Sequence, residues 1–132
     1  TTNKTSFYRE SYHFDILKHY LMNKIDGKSP RIWCSAASTG EEPYTIAMTC
    51  HDSFGGYGHK ATILSTDIDT DCLLKASRGI YTQYDVDNVI THDIGTFFED
   101  AELIGKVAIL PELKKHITYK RHNLTTELKS FS

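Results

Sequence analysis

The sequence predicts an α/β domain organised on a parallel sheet. Two strand-turn-helix units follow one another between residues 31 and 79, and their strands are short, mostly apolar runs of the kind buried in a parallel sheet. Beyond residue 80 the pattern weakens into polar turns and brief apolar runs, which suit a small antiparallel element.

Residues 10–25 open the chain with Phe14, Leu17, Leu21 and Ile25 at helical spacing, and Asp26-Gly27 supplies a stop, so an amphipathic helix is expected. After Ser29-Pro30, residues 31–36 form the first expected strand, and the small residues Ala37-Ser38-Thr39-Gly40 make a turn. Glu41-Glu42-Pro43 starts a helix running to about residue 52. Pro is tolerated in a first turn, and two carboxylates there face the positive end of the helix dipole. Phe54-Gly55-Gly56-Tyr57-Gly58 breaks the helix and reads as a flexible connection. Residues 61–66 are the next strand, ending at Asp67-Ile68-Asp69. Thr70 is the expected cap of a helix that carries Leu73 and Leu74 and stops at Gly79 after Arg78. Strand, helix, strand, helix implies right-handed crossovers. Residues 106–110 and 116–121 are two more expected strands, and their separation by Pro111-Glu112-Leu113-Lys114-Lys115 suits the antiparallel element. Tyr81, Tyr84, Phe97 and Phe98 are expected to pack in the core, because aromatic side chains dominate small cores.

Composition narrows the function. A chain of 132 residues, 39% hydrophobic and 24% charged, is one domain with a modest core, which rules out a two-domain enzyme. Its 15 Lys and Arg against 17 Asp and Glu leave a formal charge of -2, so no overall field steers it to nucleic acid or an anionic membrane. No apolar run approaches the roughly 20 residues needed to span a bilayer, and no signal-peptide pattern opens the chain. Cys34, Cys50 and Cys72 show no C-x-x-C spacing, so neither a disulfide framework nor a zinc site is indicated, and a reducing, cytoplasmic setting is expected. A start at Thr1 without Met and an end at Ser132 lead us to expect a piece of a longer chain.

In open α/β sheets ligands sit at the carboxyl ends of the strands, so the loops at residues 36–42 and 66–69 are expected to face one crevice. Neither carries G-x-G-x-x-G or a P-loop lysine, and Glu41 and Glu42 stand where phosphate charge would lie. Two carboxylates repel a pyrophosphate and attract a cation. Asp67, at the end of the second strand, is placed to accept hydrogen bonds from two ribose hydroxyls. The expected ligand is a nucleoside that lacks phosphate and carries positive charge, and S-adenosylmethionine fits. The alternative is that Glu41 and Glu42 are helix-terminus carboxylates and Asp67 a turn former.

The run Trp33-Cys34-Ser35-Ala36-Ala37-Ser38-Thr39-Gly40-Glu41-Glu42-Pro43-Tyr44-Thr45-Ile46-Ala47 resembles the signature of the chemotaxis receptor methyltransferases, the CheR type of protein-glutamate O-methyltransferase. Three further segments match in the family's order. Thr2-Asn3-Lys4-Thr5-Ser6-Phe7-Tyr8-Arg9-Glu10 is similar to its opening T-x-N-x-T-x-F-F-R-E, with Tyr8 in place of the second Phe. Thr66-Asp67-Ile68-Asp69 is similar to its second acidic motif, and His122-Asn123-Leu124 to the N-L that follows. The resemblance implies a Rossmann-like S-adenosylmethionine-dependent methyltransferase sheet, N-terminal part only, with a small inserted antiparallel β element. Residues 1–79 and 116–124 would form the cofactor-binding core and 80–115 the inserted β-subdomain.

By the same resemblance, Asn3, Thr5, Arg9, Ala36, Glu42, Asp67, Asn123 and Leu124 would bind the cofactor. Glu42 would face its ammonium group, Asp67 its ribose, and Asn123 with Leu124 the adenine side. Arg9 would hold the cofactor's carboxylate or orient the incoming glutamate, and is the expected catalytic residue. The implied reaction moves a methyl group from S-adenosylmethionine to glutamate carboxylates on the cytoplasmic helices of methyl-accepting chemotaxis receptors. A glutamate of ordinary pKa, about 4.3, is already ionised at neutral pH, so the reaction needs placement and desolvation more than a base. The family continues past the N-L with a strand ending in C-R-N and a nearby Tyr, none of which occurs here. The alternative function is therefore a non-catalytic cofactor- or receptor-binding module derived from this enzyme. A half sheet would also expose an unpaired strand edge, so either low stability or self-association through that edge, or its cover by further chain, is expected.

Three other patterns are set aside. Asp67-x-Asp69-x-Asp71 has Cys72 and Arg78 where a calcium loop needs Gly and Glu. The seven histidines show no H-x-x-x-H pair, so no metal is expected. Lys114-Lys115 and Lys120-Arg121-His122 read as a solvated basic face, with docking to acidic receptor helices as the alternative.

Overall fold

The chain was analysed as a computed structural model in which residues 5–24, 29–87, 89 and 94–121 are described. The expected sites Asn3, Asn123 and Leu124, and the helix stop at Ile25-Asp26-Gly27, lie outside the described residues.

Three parallel strands form the main sheet: β1 (Arg31–Cys34), β2 (Thr62–Asp67) and β6 (Ile117–Arg121), in the order β1-β2-β6. Register pairs Cys34 with Ser65 and Ser65 with Tyr119, so these three side chains form one row on one face. Trp33, Leu64 and Thr118 point the other way. Helix α2 (Glu41–Phe54) crosses from β1 to β2, and α3 (Thr70–Arg78) leaves β2. Both crossovers step in the same direction across the sheet, so right-handedness places α2 and α3 on one face. There the Tyr44 hydroxyl donates to the Ala76 carbonyl at 2.6 Å and joins the helices. Helix α1 (Tyr12–Lys24) packs on α2 through Phe14, Leu17 and the buried Leu21.

A second sheet of three short antiparallel strands has the order β3-β5-β4: β3 (Ile80–Thr82), β5 (Lys106–Ile109) and β4 (Phe98–Asp100), with a 3-10 turn at Ile94–Thr96. The short α4 (Pro111–Lys114) returns the chain from β5 to β6. The small antiparallel element is therefore present, with a different composition from the one expected. Residues 106–109 and 117–121 do not pair with each other; the first joins the antiparallel sheet and the second runs parallel to β2. Long-range pairing decided this, and the local pattern of strand, Pro-led turn and strand carried no information about it.

Other boundaries moved by a residue or two. The first strand ends at Cys34, and α2 runs to Phe54 before Gly55 closes it in the left-handed region, φ 74°. The cap of α3 is Asp69, whose carboxylate accepts from the backbone N–H groups of Asp71 and Cys72, and not Thr70. Gly79 ends α3 as expected, at φ 65°.

The core is an aromatic seam where the two sheets and α2 meet. Phe7 is fully buried and stands edge-on to Tyr81 at 5.0 Å and to Phe98 at 5.8 Å; Tyr44 is edge-on to Tyr81 at 6.2 Å. Tyr81, Phe97 and Phe98 are buried as expected, whereas Tyr84 is 84% exposed in the turn after β3. Among the described strands β1 hydrogen-bonds to β2 alone, and Trp33 and Leu64 on the face away from α2 are only partly covered. Among the described residues no helix is long and apolar enough to cross a membrane.

Candidate functional site

The loops after β1 and β2 lie against each other at the carboxyl end of the main sheet. The Ala37 N–H donates to the Thr66 carbonyl at 2.9 Å, and the Ser38 N–H to Asp67 Oδ2 at 2.8 Å. Asp67 Oδ1 accepts from the Asp69 N–H at 2.9 Å. Each carboxylate oxygen thus spends one acceptor site on its own backbone and keeps another open. This half-buried carboxylate is oriented and can still receive two hydroxyl donors.

Cys34 ends β1, is buried, and pairs with Ser65 of β2. Burial pushes its thiol up to about 12, and the negative charges of Glu42 and Asp67 add to the rise. It stays neutral at any working pH. Glu42 and Asp67, 25 residues apart in the chain, thus both lie near enough to act on this thiol through their charge.

The two adjacent glutamates separate. Glu41 is buried, 7% exposed, and accepts from the Thr39 hydroxyl at 2.6 Å, while Glu42 is exposed. A step of one residue in a helix turns the side chain by about 100°, so only Glu42 of the expected pair presents its carboxylate to solvent at the helix start. The turn before α2 is tight: Gly40 takes φ 106°, and a Cβ there would collide with the Tyr81 hydroxyl and with Ala76.

The segment carrying Thr5 and Arg9 is laid along α2. The Tyr8 N–H donates to Thr45 Oγ1 at 3.1 Å, and the Thr45 hydroxyl donates onward to the Glu41 carbonyl at 2.7 Å. Arg9 lies between Tyr8 at φ 57° and Glu10 at φ 53°, and Ser38 has φ 50°. These are the described non-glycine residues in the left-handed region, each costing about 1 kcal/mol or more, and all border this end of the sheet. Two clefts meet at Thr5, Ser6 and Arg9. One, of about 450 Å³, runs between the start of α1 and Glu42 and Ile46; the other, of about 570 Å³, runs past Glu41 to Tyr84, Asp85 and Asp87.

Of the expected site residues, Thr5, Arg9 and Glu42 therefore line one cleft. Asp67 holds the neighbouring loop through the Ser38 N–H, and Ala36 is exposed in that loop just past the end of β1. Asn3, Asn123 and Leu124 are outside the described residues.

Comparison with known proteins supplies the family. Residues 3–132 match the family described as CheR methyltransferase, SAM binding domain. The chain belongs to this family. It is 36% identical over 126 residues to a chemotaxis protein methyltransferase of Escherichia coli (strain K12), which covers 94% of this chain and 43% of that protein. It is 35% identical over 127 residues to a chemotaxis protein methyltransferase 2 of Pseudomonas aeruginosa, covering 94% and 45%. A chemotaxis protein methyltransferase of Borreliella burgdorferi is 34% identical over 141 residues, covering 100% and 50%. The chain spans about half the length of the curated relatives it matches. The cofactor of a CheR SAM-binding domain is S-adenosylmethionine, and the donor set suits it: a solvent-facing carboxylate for an ammonium group, an oriented carboxylate for a ribose, and a guanidinium for a carboxylate.

Two residues of this site escaped the sequence reading. Cys34 was weighed only for disulfide and metal chemistry, although its place at the end of a strand entering the site was a usable signal. Tyr81 was read as core, and nothing in its local sequence marks what its hydroxyl does.

Proposed function

We propose that this chain binds S-adenosylmethionine and takes part in methyl transfer to glutamate side-chain carboxylates on the cytoplasmic helices of chemotaxis receptors. The observation that carries the reading is the docking of the two strand-end loops, Ser38 N–H on Asp67 Oδ2, beside the cleft that Thr5, Arg9 and Glu42 line. When bound, S-adenosylmethionine supplies an electrophilic methyl on sulfonium. The chain's own residues then have separable tasks. Glu42 holds the ammonium group from the first turn of α2. Asp67 accepts the two ribose hydroxyls while Ser38 and Asp69 fix its plane. Arg9 receives a carboxylate, and its permanent charge makes it the catalytic residue that draws an ionised acceptor into line. Asn3, Thr5 and Ala36 complete the cofactor's amino-acid side, and Asn123 with Leu124 the adenine side.

The parallel pairing of β6 with β2, against the separate β3-β5-β4 sheet, supports residues 1–79 and 116–124 as the cofactor core and 80–115 as an insertion. The receptor helices named here are cytoplasmic, so the proposed setting is the cytoplasm. The outer edge of β1 is the proposed surface for self-association.

Arg9→Ala tests the reaction. Methyl transfer from labelled S-adenosylmethionine to receptor helices is expected to fall by about 100-fold at saturating cofactor, the scale of a misplaced reactant, and a parallel titration with S-adenosylhomocysteine separates lost cofactor binding from lost transfer. Unchanged turnover in the folded variant removes Arg9 from the chemistry. Cofactor binding by wild type without any transfer favours the non-catalytic module.

A further inference from the structure

The cofactor loops are held from outside the main sheet, by a residue of the antiparallel one. Tyr81 lies in the middle of β3, is 2% exposed, and pairs with Val107 of β5. Its hydroxyl crosses to the other sheet and donates to the Thr39 carbonyl at 2.7 Å, in the turn that leads into Glu41 and Glu42. Gly40 packs so closely under that hydroxyl that no Cβ fits. The ring of Tyr81 also supports the edge of Phe7 at 5.0 Å, and Phe7 lies two residues from both Thr5 and Arg9. One side chain therefore touches both walls of the cleft: the turn before Glu42 through its oxygen, and the Thr5–Arg9 segment through its ring.

We propose that Tyr81 is a positioning residue for the cofactor: by holding the Thr39 carbonyl and Phe7 together it fixes Glu42 against Arg9, and it ties cofactor affinity to the antiparallel sheet. This rests on the cofactor reading above and deepens it. Burial raises the Tyr81 phenol well above its ordinary value, with the Glu41 carboxylate adding to the effect, so the hydroxyl remains a proton donor at any working pH. Tyr44 supplies an internal control. It belongs to the same aromatic seam and also donates a buried hydroxyl to a backbone carbonyl, that of Ala76 at 2.6 Å beside Gly40, but it leaves the Tyr81 bond to the Thr39 carbonyl in place.

The test compares Tyr81→Phe with Tyr44→Phe in the full chain, by calorimetric titration with S-adenosylhomocysteine, steady-state kinetics and thermal unfolding. Each change keeps the ring and removes one hydrogen bond. In Tyr81→Phe the Kd for S-adenosylhomocysteine and the KM for S-adenosylmethionine are expected to rise about three- to ten-fold, with kcat unchanged, since a hydrogen bond of that class is lost. Tyr44→Phe is expected to lower the unfolding temperature at least as much and to keep wild-type affinity. Unchanged affinity in Tyr81→Phe, or equal losses in the two variants, overturns the proposal. Amide exchange needs no variant: S-adenosylhomocysteine is expected to slow exchange across Ile80–Thr82 in wild type, and unaltered exchange there also overturns it. A folded wild-type chain that binds no S-adenosylhomocysteine overturns the cofactor reading itself, a result distinct from either.

Discussion

Acid should loosen this fold through one pair of histidines at the end of the sheet opposite the cofactor loops. His59 and His116 stack with ring centroids 4.1 Å apart and planes 17° from parallel. The peptide of Ala61 sets both tautomers: its N–H donates to His59 Nδ1 at 3.2 Å, and its carbonyl lies 3.1 Å from His116 Nδ1, which must then carry the proton. The Nε2 atoms of both rings are buried without a hydrogen-bond partner among the described residues. A second proton on His59 would break the Ala61 bond and place a cation beside His116, His51 and Lys115, with Phe54 closing the remaining side. Burial first, and then those neighbours, lower His59 from 6.5 to about 4. In the unfolded chain His59 takes its proton near pH 6.5, and in the folded chain it resists until about pH 4. Stability is therefore full above pH 6.5 and falls as pH drops through this window. A shift of this size corresponds to about 3 kcal/mol if undiminished, and screening by the solvent that reaches the half-buried ring leaves about 1–2 kcal/mol. For a domain of this length the unfolding temperature should drop by about 4–8 °C between pH 7 and pH 4.5 from this source. His59→Phe keeps a ring in the stack and cannot take a proton. Thermal unfolding followed by circular dichroism across pH 4–7.5 should show a shallower acid limb in His59→Phe than in wild type. Superimposable acid limbs would refute the reasoning.

Other perturbations follow from the same contacts. Phe7→Ala empties a fully buried position between Tyr81 and Phe98 and should cost about 3–5 kcal/mol, read as a lowered urea midpoint. Gly40→Ala forces a side chain into the left-handed region and against the Tyr81 hydroxyl, so both the unfolding temperature and the affinity for S-adenosylhomocysteine should fall. Asp67→Asn replaces one of the two oxygens that accept from Ser38 and Asp69 by an NH2 donor, so it loosens the β2 loop as well as removing acceptor capacity, and should weaken adenosine-containing ligands by about ten-fold or more. Wild-type affinity in that variant would release Asp67 from the ribose role.

The parts of the fold read correctly in the sequence were those set by nearby residues. The two strand-turn-helix units were legible because short apolar runs alternate with small-residue turns, and Gly79 and the Gly55 region mark real helix ends. The cap of α3 was misplaced by one because Asp69 and Thr70 are both competent cap residues, and only geometry shows whose oxygen meets the Asp71 and Cys72 amides. The partners of residues 106–109 and 117–121 were not legible, since strands separated by a few residues can join different sheets when long-range packing decides. Tyr84 looked like its aromatic neighbours, yet it sits in the exposed turn after β3. Within the candidate site, the positions of Glu42 at a helix start and Asp67 at a strand end were legible from the sequence. The split between Glu41 and Glu42 needed the helix phase, and the roles of Cys34 and Tyr81 needed the third dimension.

The central claim is that Glu42 and Asp67 divide one cofactor between them. The direct measurement is calorimetric titration of wild type, Glu42→Gln and Asp67→Asn with two ligands, S-adenosylhomocysteine and 5′-methylthioadenosine, which keeps the ribose and lacks the ammonium group. Glu42→Gln should weaken S-adenosylhomocysteine by at least about ten-fold and leave methylthioadenosine unaffected, whereas Asp67→Asn should weaken both. Loss of both ligands in Glu42→Gln, or no saturable binding of either by the folded wild-type chain, would contradict the claim.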